Sequence, residues 1–199
     1  EEITESKIQL ALAQFIRSIQ SFDSKYDTGR ALAANDNANF SNFTTQENAG
    51  KALYMAPPVF NATGNRTSGG LGCAGCHRAP EFDIDPNTRS NGIGGSIAGG
   101  QDFTNTRSPS LRDLVKTDGT LNGPLMHTAV INSLQAAIGH YGDLTNATAN
   151  NTNLDPRLKP NGVGQKLNLT ATEVNSVIAF LKTLSGTNVY TDTKWSNPF

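Results

Sequence analysis

The sequence predicts an all-α fold with long loops and an N-terminal extension helix. Three observations carry that prediction. Ile8, Leu12, Phe15, Ile16 and Ile19 recur at i, i+4, i+7, i+8 and i+11, the spacing of one face of an amphipathic helix over residues 5–21. Thr44-Thr45-Gln46-Glu47 and Thr170-Ala171-Thr172-Glu173 each have capping-box spacing, in which a hydroxyl and a carboxylate three residues apart satisfy amides that a helix start leaves unbonded. No stretch alternates apolar and polar residues over the length of a convincing strand.

The elements follow in order. Thr4 is the expected N-cap of the first helix, which by its apolar face packs on a neighbour. Residues 23–43 are polar and Asn-rich and read as a linker. The helix opened by Thr44 runs to about Met55 and stops before Pro57-Pro58, and the Gly-rich stretch 56–72 reads as an inserted loop. Residues 78–108 are again loop-rich, with five glycines between Gly92 and Gly100, and no GKS or GKT follows to make a phosphate loop of them. Pro109 to about Val115 could form a short helix, and Ser133 could cap another from Leu134 to Tyr141. In the last helix Val174, Val177, Ile178, Leu181 and Leu184 form the apolar stripe, with Gly186 as the expected residue beyond its end. This divides the chain into an extension helix and linker at 1–43, a domain at 44–190 and a tail at 191–199.

Composition sets bounds. The 199 residues suffice for one domain with a proper core plus an extension. A net charge of −1 and a pI near 6.3 leave no basic stripe for nucleic acid. No apolar run approaches the ~20 residues that cross a bilayer. The chain has two cysteines.

Both cysteines fall in Cys73-Ala74-Gly75-Cys76-His77, which reads CxxCH, the attachment signature of a c-type haem. Two thiols at this spacing add across the porphyrin vinyl groups, and the adjoining His77 is placed to bind the iron. A thioredoxin-like pair would need a strand–helix context, a zinc site would need further Cys or His nearby, and a disulfide would leave the His without a purpose. The helix before this motif stands where the first helix of a class I cytochrome c stands, so the expected domain is class I cytochrome c-like. Covalent haem attachment takes place outside the bacterial cytoplasm, so the motif implies a periplasmic or extracellular protein.

Three further blocks accompany CAGCH in one order: RSPSLRD at Arg107–Asp113, NGPLMHTAVINSLQAAIGHYG at Asn122–Gly142 and AFLKTLSG at Ala179–Gly186. Over about residues 44–186 this resembles the C-terminal haem domain of bacterial dihaem cytochrome c peroxidases and the related MauG enzymes. The opening Ile8–Asp27 resembles the segment that joins the family's first haem domain to its second. Asp113 departs from the family's usual Asn, Leu125 from an aromatic, and Thr128-Ala129 from Asp/Asn-Gly. The chain carries one CxxCH where the family carries two. It is therefore expected to be a fragment of a dihaem protein or a descendant that kept only the second domain.

The sixth iron ligand decides function, and four candidates follow the motif: Met126, His127, His140 and Tyr141. By spacing alone Met126 is a cytochrome-type ligand or a core residue, His140 an exposed helix histidine, and Tyr141 a ligand or a packed aromatic. The resemblance prefers Tyr141, the position at which MauG enzymes place an iron-binding tyrosine, with Met126 second. It implies that His127 lies near the haem edge without binding iron, and that Arg112 pairs a haem propionate. It also implies a calcium bound through the backbone at Asn122 and Pro124.

Three functions follow as expectations. The first is the electron-transferring half of a dihaem peroxidase, passing electrons to a peroxide-reducing haem. The alternatives are a stand-alone monohaem cytochrome carrying electrons between partner proteins, and a MauG-like oxidase with a His/Tyr haem. Partners would be a redox protein or a second haem domain, and an exposed apolar face on the first helix would point to a lost domain or to a homo-oligomer.

Overall fold

The computed structural model describes residues 2–84, 87–95, 103, 107–147 and 151–196. Among these, helices form at Glu5–Ser18 (α1), Lys25–Leu32 (α2), Thr45–Met55 (α3), Leu134–Gly142 (α4), Ala171–Lys182 (α5) and Asn188–Thr191 (α6). The caps read from sequence are in place. Thr44 and Thr170 each accept from the backbone N–H three residues on, while Glu47 and Glu173 reach back to the capping residues' own amides. Ser133 caps α4 through the Ala136 amide.

The all-α part of the expectation is corrected, and its cytochrome c-like part is not: among the described residues two small antiparallel sheets accompany the helices. Strand Pro58–Phe60 (β1) pairs with Arg66–Gly69 (β2), and His77–Arg78 (β3) pairs with Asp83–Ile84 (β4). Strands of two to four residues are too short for alternation to register in sequence. The first hairpin is set by its turn instead. Asn61 Oδ1 accepts from the Thr63 hydroxyl and from the Thr63 and Asn65 amides, while Gly64 takes a φ of +78°.

Other elements depart from expectation for local reasons. The presumed linker holds α2, whose capping box uses Asp27 rather than Glu at the third helical position and buries little besides Tyr26 and Gly29. Residues 109–115 form no helix. Arg112 and Asp113 lie instead in a turn, with Asp113 at a φ of +54° and its carboxylate accepting from the Gly186 amide. Gly186 therefore serves this contact, while Thr183 caps α5. α1 buries none of its residues and meets the body through an edge contact of Phe15 on Trp195, ring centroids 6.0 Å apart. The glycine stretch beyond Gly95 falls outside the described residues.

The core is aromatic. Tyr26, Phe40, Phe43, Tyr54, Phe82 and Phe180 interlock at centroid separations from 4.8 to 6.4 Å, in tilted or edge-on pairs that suit ring quadrupoles. α3 crosses α5 closely enough that a Cβ on Gly50 would overlap the Ser176 carbonyl oxygen. An ion pair from Arg66 to Glu173 ties β2 to the start of α5.

The segment leading into α2 is locked to the body. Arg112 donates to both carboxylate oxygens of Asp27, at 2.9 and 2.8 Å, and to the carbonyls of Ser21 (2.6 Å) and Pro80 (2.9 and 2.6 Å), with Phe22 stacked over its guanidinium. Burial by itself would raise the Asp27 pKa, but the bonds from Arg112 and Ser24 outweigh it and hold the carboxyl below its ordinary value of 3.8.

Gly50→Ala is expected to destabilise the fold by about 1–3 kcal/mol, the range for overpacking a close contact, read as a lowered urea midpoint. An unchanged midpoint would show that the helices do not cross at this distance. The Asp27 shift has a definite sign. The unfolded chain binds the proton more readily than the native one, so the pair's stabilisation is complete above about pH 4 and is lost as pH falls through the depressed native value. Asp27→Asn should therefore lower stability near neutrality and flatten its loss between about pH 5 and 2. A variant that keeps the full acid slope would show that Asp27 does not supply it.

Candidate functional site

The CxxCH segment is held from three sides. Gly72 turns the chain into it at a φ of +73°, where a Cβ would press on the Pro58 ring, and residues Cys73–Gly75 form one 3-10 turn closed by the Cys76 amide on the Cys73 carbonyl, 3.1 Å. From α3, Tyr54 donates its hydroxyl to the His77 carbonyl at 2.8 Å. From outside, Arg157 donates to the Gly75 carbonyl at 2.6 Å while its other nitrogens hold the buried Asp155 carboxylate. Both cysteines are free of disulfides.

His77 Nδ1 lies 2.9 Å from the Pro109 carbonyl oxygen. A carbonyl only accepts, so Nδ1 carries the proton and Nε2 keeps its lone pair. Burial, the largest influence, lowers the imidazole pKa and so favours the neutral ring, while the bond to Pro109 pulls the other way. Metal-bound histidines are commonly oriented by this kind of bond from the second nitrogen. Burial also pushes the Cys73 thiol up to about 12. Reactive redox cysteines have lowered values, and burial moves Cys73 in the other direction.

Cys73, Cys76 and His77 line one cavity of about 220 Å³. Its walls are mainly apolar: Tyr54 from α3, Leu111 and Leu114 from the turn after Pro109, Leu125, Leu134 and Ile138 around α4, and Val177 and Leu181 from α5. Polar groups also line it, among them Arg89, Arg107, Asn91 and Gln165.

The candidate sixth ligands divide clearly. Tyr141 and Met126 line the same cavity as His77, and the Asn91 side-chain amide donates toward both, at 3.4 Å to the Tyr141 hydroxyl and 3.5 Å to the Met126 sulfur. Burial raises the Tyr141 phenol to about 12, and the Asn91 bond opposes that shift. His140 turns away: its Nε2 donates to the Asn91 backbone carbonyl at 2.8 Å. It is half-buried rather than exposed. His127 lines the cavity, but its Nε2 donates to the Gly95 carbonyl at 2.9 Å. Both histidines thus have the nitrogen that most often meets a metal already occupied.

Arg112 is not among the residues lining the cavity, because Asp27 and two carbonyls engage its fork on the far side of the turn. Arg89 and Arg107 are the guanidinium-bearing residues that line it. No spacing in the sequence separates either from the other arginines. Pro109 was visible as a helix start and serves instead through its carbonyl, which no residue type announces. Asn122 donates its side-chain amide to the Asp113 carbonyl and the Tyr190 hydroxyl, and Pro124 is exposed. Among the described residues no group of three or more His, Cys, Asp or Glu gathers to hold a metal ion, there or elsewhere.

The donor set fits a c-type haem. Two thiols line an apolar cavity beside a neutral imidazole whose Nε2 keeps its lone pair, with a phenol and a thioether on the same cavity.

No protein-family model matches the chain, and no curated protein matches it. Among solved structures the chain is similar to a MauG-like protein associated with microbial copper homeostasis, with a TM-score of 0.60 and 26% identity over 99% of this chain. The chain spans 62% of that protein's length. Among the described residues no helix is long and apolar enough to cross a membrane. The chain thus shares the fold of a MauG-like protein over nearly all of its own length.

Proposed function

We propose that the chain is an electron-transferring haem domain of a MauG-like protein, with one haem attached at Cys73 and Cys76 and held axially by His77. The observation that carries this is the His77 Nδ1 bond to Pro109, made beside two cysteines that line the same apolar cavity. When bound, the haem supplies a one-electron iron couple. The chain supplies the rest. Pro109 fixes the imidazole's rotation and tautomer, and Tyr54 fixes the backbone that carries it. The leucines and Val177 would keep water from the bound group, which would favour its less charged oxidation state. Arg89 and Arg107 are the residues suited to pair the propionates. The chemistry of attachment implies a periplasmic or extracellular setting.

Tyr141 is the preferred second axial ligand, with Met126 next. Its phenol meets a cavity that also holds a hydrogen-bond donor, Asn91, able to stabilise an anionic oxygen far better than a thioether. A tyrosinate lowers the potential and favours ferric or higher iron, which also admits the MauG-like oxidase reading; methionine raises the potential and suits a carrier.

Intact-protein mass spectrometry of the periplasmically expressed chain should show the added mass of one haem, lost in the Cys73→Ser, Cys76→Ser double variant. Unmodified thiols in the expressed protein would end this reading. Tyr141→Phe should change the ferric absorption spectrum and raise the midpoint potential. An unchanged low-spin spectrum would remove Tyr141 as a ligand and turn attention to Met126→Leu.

A further inference from the structure

Tyr26 is one of four tyrosines, and its hydroxyl has a partner unlike the others'. It donates to a carboxylate, Asp36 Oδ1. Tyr54 donates to a peptide carbonyl, the Tyr141 oxygen faces the Asn91 amide, and the Tyr190 oxygen accepts from Asn122. The difference matters for oxidation. A phenol that loses an electron becomes a strong acid and must lose its proton. A carboxylate can take that proton; a peptide carbonyl or an amide N–H cannot.

The surroundings are built for this. Tyr26 is 1% exposed and sits among rings: Phe82 at 4.8 Å, Phe40 at 5.4 Å and Phe180 at 6.2 Å between centroids. Phe82 in turn lies 5.7 Å from Tyr54, whose hydroxyl reaches the His77 carbonyl. Aromatic contact thus runs unbroken from the CxxCH segment to Tyr26. Asp36 stands at the outer end, with a side chain 35% exposed, paired with Arg30 at 3.2 Å. The buried Lys51 amine is fixed beside it, bonded to the Asp36 and Ala38 carbonyls and lying 4.1 Å from the Phe40 ring centre. Burial first, and the Asp36 bond second, hold the resting phenol protonated far above its ordinary range.

We propose that Tyr26 and Asp36 form a proton-coupled redox pair. A high-potential one-electron oxidant, a metal complex or an organic radical, takes one electron from the Tyr26 ring. The phenolic O–H bond breaks and its proton forms a new O–H bond on Asp36 Oδ1. The products are a neutral tyrosyl radical, a protonated carboxyl and the reduced oxidant. Return of one electron sends the proton back and restores the pair. The aromatic shell keeps water and radical scavengers from the ring, and Asp36 connects the proton to solvent. This inference stands on the Tyr26 surroundings and does not require the haem reading.

The test uses the full chain with Trp195 and Tyr190 replaced by Phe, which removes the half-exposed tryptophan and the outermost tyrosine. Flash-generated tris(bipyridine)ruthenium(III) serves as the oxidant. Freeze-trapped samples read by electron paramagnetic resonance should show a neutral tyrosyl radical. Tyr26→Phe should abolish it, and Tyr54→Phe should leave it. Asp36→Asn keeps the phenol but removes the proton acceptor, so the signal should be lost, and Asp36→Glu should restore it. The two Asp36 variants decide the matter even if Tyr26→Phe fails to fold, since they leave the buried ring in place. A radical that survives Asp36→Asn at full yield, or that moves with Tyr54, overturns the pair; so does the absence of any tyrosyl signal in the background protein.

Discussion

The close crossing of α3 over α5 is the constraint on which the rest depends. It exists because residue 50 has no side chain: the Ser176 carbonyl occupies the space a Cβ would need. With the helices this near, α3 delivers Tyr54 to the His77 carbonyl, and α5 delivers Val177 and Leu181 to the cavity wall. Phe180, fully buried from the same helix, closes the aromatic cluster against Tyr54 and Phe82. One small residue therefore sets the distance between the core and the cysteine turn.

The cavity joins residues of different kinds of support. The His77 group is rigid, held by Tyr54, Pro109 and, through Gly75, Arg157. The Tyr141 and Met126 group depends on a single amide, Asn91, which is itself pinned: its backbone carbonyl accepts from His140 and its side-chain oxygen from the Ile93 amide. The neighbouring Ser90 is fully buried and bonded to Asn151 and Asp155. One fixed amide thus reaches two chemically different acceptors, an oxygen and a sulfur.

Much of this was legible beforehand, and unevenly so. The helix starts at Thr44, Ser133 and Thr170 were readable because a cap is a contact between residues three apart in sequence. The cysteine turn was readable for the same reason. α2 was not, because Asp27 stands in for the usual glutamate and, of its apolar side chains, only Tyr26 is buried. The two hairpins escaped because their strands are shorter than one period of a recognisable pattern. Arg112 shows the limit of matching by position. Its guanidinium could serve a carboxylate of a cofactor or of the chain, and the chain supplied Asp27. α1 shows a second limit, since an apolar face states that something is to be covered without saying what covers it.

The sequence by itself determined the attachment signature, its adjoining histidine, and four of the capped helices. Each of these is encoded within a few residues, so local chemistry suffices to read them. The tertiary structure alone decided that Pro109 orients His77 from 32 positions away, that Tyr141 and Met126 share one donor, and that Tyr26 meets a carboxylate. These pairings are made when the chain packs, by distances that depend on how helices cross, and no local pattern of residues records such a distance.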